Sequence, residues 1–151
     1  MLTENLALLF ERDILKLKAE IIAYQNEKNI WLPAAGTSNS GGNLCLHLVG
    51  NLQYYIGSIL GNSGYVRDRP KEFSSKDISV IELINIISHT VLVVTKTIRS
   101  LTDKTLSANY PEKVFGHDMT TEYFLLHLLA HLNYHLGQIN YHRRISETMP
   151  Q

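Results

Sequence analysis

The sequence predicts an all-α fold, a four-helix bundle with long inter-helix loops. Three observations carry that prediction. Apolar residues recur at three- and four-residue spacing through four segments. Each segment is longer than the ~10 residues that strands seldom exceed. Stretches rich in Gly, Ser, Asn and Pro separate them.

The first helix is expected over residues 3–28. Leu6, Phe10, Ile14, Leu17, Ile21 and Tyr24 form its apolar stripe, with Glu11, Arg12, Lys16 and Lys18 mostly between them. Thr3 stands where a capping hydroxyl is wanted. Trp31-Leu32-Pro33 ends the segment, because a residue before proline avoids the α region. A second helix is expected from about Asn43 to Leu60, between the loop at 36–42 and Gly61-Asn-Ser-Gly64. Inside it, Gly50 and Gly57 each cost about 1 kcal/mol against alanine, which marks a close approach by another helix. The third helix, Asp77 to about Leu101, is rich in β-branched residues, but its length decides against strand and Ser79 with Glu82 makes a capping box. The fourth runs from about Thr121 to Glu147, with Phe124, Leu125, Leu128, Leu132 and Ile139 facing inward. The connections at 29–42, 61–76 and 102–120 exceed the usual ~2–8 residues, so crossovers are allowed and the helix order stays open. Residues 105–115 can hold a short hairpin, against which Pro111 argues.

With 151 residues, 44% of them hydrophobic, the chain suits one domain spanning 1–151. Its 14 basic and 14 acidic residues balance, which argues against a nucleic-acid binder, because such a domain carries a basic excess. One cysteine, Cys45, excludes an internal disulfide and a multi-cysteine metal site. The first residues mix acids with leucines and lack the basic start of a signal peptide. Histidines and asparagines interrupt every run that approaches the ~18 apolar residues of a membrane span. A soluble cytoplasmic protein is the expectation.

Histidine is the unusual residue: there are seven, four of them between positions 127 and 142. His131 and His135 lie only ~40° apart on the fourth helix, in the sector of Phe124, Leu128, Gln138 and Ile139. Two imidazoles one turn apart can converge on one ion. The residue after His131 is leucine, which excludes the His-Glu-x-x-His protease motif, and the absence of paired Glu-x-x-His excludes a ferritin-like di-iron core. A third ligand must come from elsewhere: His47, His89, His117, His127, His142 or a carboxylate. His47 is preferred, because it shares an apolar helical face with Leu44, Leu48 and Asn51. Cys45 stands ~200° away and reads as a small buried residue. Asn51, Tyr54, Gln138 and His127 are candidates to line the pocket or support the ligands. Three imidazoles leave an open position on zinc or nickel, the mark of a catalytic site.

The strings Asn43-Leu-Cys-Leu-His-Leu-Val-Gly-Asn-Leu52 and His131-Leu-Asn-Tyr-His-Leu-Gly-Gln-Ile-Asn-Tyr-His-Arg-Arg144 resemble those of the DinB/YfiT-like metalloenzymes, and the resemblance covers nearly the whole chain. It implies a four-helix bundle that binds a divalent metal through His47, His131 and His135. It also selects His135 over His127, because Gly-Gln follows His135 and nothing similar follows His131. The activity it implies is a thiol-dependent S-transferase, in which a low-molecular-weight thiol adds to a small electrophile. The other expectation is a non-catalytic stress protein whose metal is structural. A homodimer is expected from the absence of net charge, the surplus aromatics Tyr54, Tyr55 and Tyr134, and the habit of that family.

Overall fold

The computed structural model describes residues 1–148, and among them six α-helices form with no β-strand. Four are long: α1 (Leu2–Ile22), α2 (Gly41–Leu52, prolonged by π-helical turns at Gln53–Ser58), α4 (Val80–Ser100) and α6 (Thr121–Ser146). Two are short: α3 (Arg69–Ser74) and α5 (Asp103–Ser107), both inside connections expected to be loops. Each short helix has a local cause. Asp68 accepts a hydrogen bond from the Lys71 amide with Pro70 in the first turn, and Thr102 does the same for Thr105.

Polar links between helices fix their directions. Asp13 and Glu20 of α1 accept hydrogen bonds from Asn133 and Asn140 of α6, seven residues apart on both helices, so these two run parallel. Glu4 pairs with Arg99 and Lys18 donates to Ser88, so α1 and α4 run antiparallel. Gln53 donates to Thr90, and a Cβ on Gly57 would stand 2.8 Å from Val93, so α2 and α4 run parallel. The order is therefore up, down, down, up. The parallel α2–α4 step requires residues 61–79 to return along the molecule, and α3 lies in that crossover.

Leu6, Phe10, Ile14, Leu17 and Ile21 of α1 are fully buried against Leu83, Ile87, Val94 and Ile98 of α4 and Phe124, Leu125, Leu128, Leu132 and Ile139 of α6, as their periodicity requires. By length and composition α4 is also the one described helix able to cross a membrane, although its apolar stripe faces this core. Three local expectations need correction. Thr3 is buried within α1 and caps nothing; the helix starts at Leu2 without a side-chain cap. The segment 105–115, which could have held a short hairpin, instead forms α5 and a single bridge between Asn109 and Thr120, because Thr102 starts a helical turn and Pro111 follows Tyr110, the last amide on its side to pair. Gly50 is approached by the Glu72 side chain of α3 and not by a long helix, whereas Gly57 is met by α4.

Candidate metal centre

Three imidazoles converge where the middle of α2 faces the middle of α6. The donor atoms of His47, His131 and His135 all lie within 4.8 Å of one another, and His47 Nε2 stands 3.2 Å from His131 Nε2. The ring pairs meet edge to face at 4.6–5.2 Å between centroids. Each ring is aimed differently. His47 is buried, with Nδ1 3.3 Å from Glu72 Oε2. His135 Nδ1 lies 2.7 Å from Gln138 Oε1, one turn further along α6. His131 Nδ1 is buried with no hydrogen-bond partner. Burial, then the neighbouring His135, His47, His127 and Arg67, pushes the His131 pKa down to about 4, so its ring is neutral at pH 7. Burial likewise holds His135 below the ordinary histidine value, partly offset by the Gln138 bond.

Behind His47 stands an ion pair that sequence reading did not anticipate. Arg67 donates from Nε to Glu72 Oε1 at 2.7 Å and from Nη2 to Oε2 at 3.0 Å, with both side chains largely buried. Burial raises the Glu72 pKa, but hydrogen bonds from His47 and Arg67 outweigh it and the carboxyl stays below its usual range. An ionised Glu72 makes His47 Nδ1 the donor and leaves Nε2 as a lone pair facing the other two rings. Asn43 holds the backbone of this segment, donating to the Glu72 and Ser75 carbonyls at 3.1 and 2.9 Å.

A cleft of ≈ 220 Å³ opens above the site. Asn51 lines it, with its Oδ1 buried and unbonded, as does His127. The His127 ring is exposed, edge-on to Phe115 and 6.3 Å from His131, outside the convergent three. Gln138 touches His135 and does not line this cleft. Tyr55 lines it in place of the expected Tyr54, whose hydroxyl bonds Glu112. The π-helical turns explain the exchange: they rotate fewer degrees per residue, so the face a regular helix gives to position 54 passes to 55. His131 and His135 are half-buried at the edge of the α6 core stripe, not within it as their sector suggested, because α2 crosses α6 there and leaves the cleft open.

The other histidines and the cysteine lie elsewhere. His89 and His117 are exposed. Cys45 is fully buried, and burial pushes its thiol up to about 12, an unreactive state. His142 Nδ1 accepts from the Tyr24 hydroxyl at 2.6 Å while Nε2 donates to the Leu32 carbonyl at 2.7 Å. Burial lowers its pKa, the Leu32 bond opposing. His142→Ala strands both partners and is expected to cost about 2–4 kcal/mol of stability, read as a lower urea midpoint, with metal binding unchanged.

The profile of the family described as "Protein of unknown function (DUF1572)" matches residues 9–148, and the chain belongs to that family. No curated protein matches the chain significantly.

Proposed function

We propose that this DUF1572 protein is a DinB-like four-helix bundle that binds one divalent ion, zinc or nickel, through His47, His131 and His135. The observation that carries the reading is the arrangement of three imidazoles with no proton donor to satisfy them all. His47 Nε2 presents a lone pair. If His131 Nε2–H donated to it, the buried His131 Nδ1 would be an unsatisfied acceptor; if Nδ1 carried the proton, two lone pairs would oppose each other at 3.2 Å. A cation between the rings removes the conflict. The spacing suits it, because nitrogens ~2.0–2.1 Å from a tetrahedral zinc stand ~3.3–3.4 Å apart.

The protein's own residues supply the rest. Glu72 and Gln138 hold the rings of His47 and His135 by their Nδ1 atoms, an arrangement that orients ligands and raises their basicity. With three protein ligands, a bound ion keeps a position for substrate and supplies a Lewis acid there. The open cleft favours a metal-dependent enzyme, and the histidine strings suggest a thiol S-transferase acting on a small electrophile. His127 and Asn51 face that cleft as groups to exchange a proton or orient the reactant.

The alternative is a stress-related bundle braced by its metal. The two readings differ in what chelation does. The core between α1, α4 and α6 is built of apolar side chains, and among the described residues it holds no metal donor set. The enzyme reading therefore expects helical circular dichroism to survive removal of the ion, with cooperative unfolding at a lower temperature. Collapse of the helical signal on chelation would instead establish a structural metal.

The dimer belongs to the same proposal, with a changed surface. Tyr55 packs edge-on against Phe124 inside the chain and Tyr54 is bonded to Glu112, so neither is surplus. Tyr134 and Tyr141 are exposed on the outer face of α6, in a row with Ala130 and Gly137. A Cβ on Gly137 would meet nothing within 4 Å, so nothing inside the chain requires that glycine. A second copy packed antiparallel on α6 sets Ala130 against Gly137 and brings Glu122 toward Arg144, small opposite small and acid opposite base. Light scattering is expected to give twice the chain mass, reduced to the chain mass by Gly137→Glu. A wild-type monomer at micromolar concentration would refute this surface.

A further inference from the structure

The cleft over the histidines has an unbalanced charge. Among the described residues no Asp or Glu lines it, while two guanidinium groups do. Arg67 lies over the Tyr55 ring, and its Nε and Nη2 are directed at the Glu72 carboxylate. Arg69 has no ion-pair partner among the described residues. It is nonetheless held in place: its Cζ sits 5.3 Å from the centre of the Phe73 ring, and that ring lies 5.1 Å from the His47 ring. One aromatic ring thus separates an unpaired cation from the metal-site histidines. Val114, Phe115, Phe124 and Leu128 supply the apolar part of the lining. The volume of ≈ 220 Å³ is below the ~300–1,000 Å³ of pockets for drug-sized ligands, which restricts the occupant to a small molecule.

We infer that this cleft takes a small organic anion, with its carboxylate seated on Arg69 and its apolar part against Val114 and Phe115. The inference deepens the metal reading by naming the substrate class, and it rests on that reading for the occupant's second anchor. Arg69 acts as a specificity-determining residue. A guanidinium offers a carboxylate two parallel donors, and Arg69 presents them at the exposed rim of the cleft. A neutral molecule of the same shape forgoes that pairing and leaves the exposed cation to water.

The test uses two thiols that share an HS-CH2-CH2 stem and end in a carboxylate or a hydroxyl, 3-mercaptopropionate and 2-mercaptoethanol, titrated into the full chain loaded with cobalt(II). The thiolate-to-cobalt absorption reads binding at the metal end. The wild type is expected to bind 3-mercaptopropionate about fivefold more tightly, as an ion pair at an exposed rim warrants. Arg69→Gln should reduce that ratio to within about twofold while leaving the affinity for 2-mercaptoethanol and for cobalt unchanged. Equal affinities in the wild type, or a preference that survives Arg69→Gln, would overturn the inference. A chain that takes up no cobalt refutes the metal reading alone, because benzoate and benzyl alcohol titrated into the metal-free chain read the same seat by NMR. Shifts at Arg69 and Phe115 caused by benzoate only, and lost in Arg69→Gln, support the anion seat; no shift with benzoate overturns it.

Discussion

Alanine at His47, His131 or His135 is expected to lower zinc affinity by more than 100-fold, while His127→Ala lowers it by less than about 10-fold. Partners that merely orient ligands typically contribute roughly 10–100-fold, and removing one of three ligands should exceed that. The comparison with His127 matters because His127 and His131 have the same four-residue spacing as His131 and His135. Three histidines so spaced span about 11–12 Å of helix axis, too far for one ion to reach both ends. In the structure His127 turns toward Phe115 at the mouth of the cleft, and His135 faces His47. Competition with a chromophoric chelator reads all four variants. Loss of the ion in His127→Ala with retention in His135→Ala would move the site by one helical turn.

Glu72→Gln is expected to have two separable effects. It keeps the side-chain volume but removes the charge that pairs with Arg67 and fixes the proton on His47 Nδ1. Zinc affinity should fall about 10–100-fold. Stability should fall by about 3–5 kcal/mol, because Arg67 is left as a buried cation without a counterion. The double change Arg67→Met with Glu72→Leu replaces the pair by apolar groups and should recover most of the stability without the affinity. Denaturant midpoints and chelator competition on the same samples distinguish the two effects. An unchanged affinity in Glu72→Gln would remove Glu72 from the site.

The four long helices and the pairing of His131 with His135 could be read from the sequence because both are local. Helical periodicity places Leu6 through Ile21 on one stripe, and a four-residue spacing puts His131 and His135 one turn apart whatever surrounds them. His47 was legible by its face alone. Arg67 and Glu72 were not, because they reach His47 through the crossover at residues 61–79, whose path depends on α2 and α4 running parallel. Two signals pointed there. Asp68-Arg69-Pro70 is a helix start, and Gly50, one turn beyond His47, announced a close neighbour without naming it. The exchange of Tyr54 for Tyr55 had no signal, since nothing in Gln53–Ser58 distinguishes a π-helical turn from an α-helical one. The orientation of α6 was only partly legible. His131 and His135 fall in the apolar sector, but whether a neighbour covers that sector depends on where α2 crosses.

Binding of one ion by three imidazoles is tested most directly by X-ray absorption at the metal edge on chain purified without an affinity tag. One divalent ion per chain is expected, with a first shell fitted by three histidine nitrogens at ~2.0–2.1 Å if the ion is zinc. Substoichiometric metal, or a shell containing sulfur or fewer than three imidazoles, would contradict it.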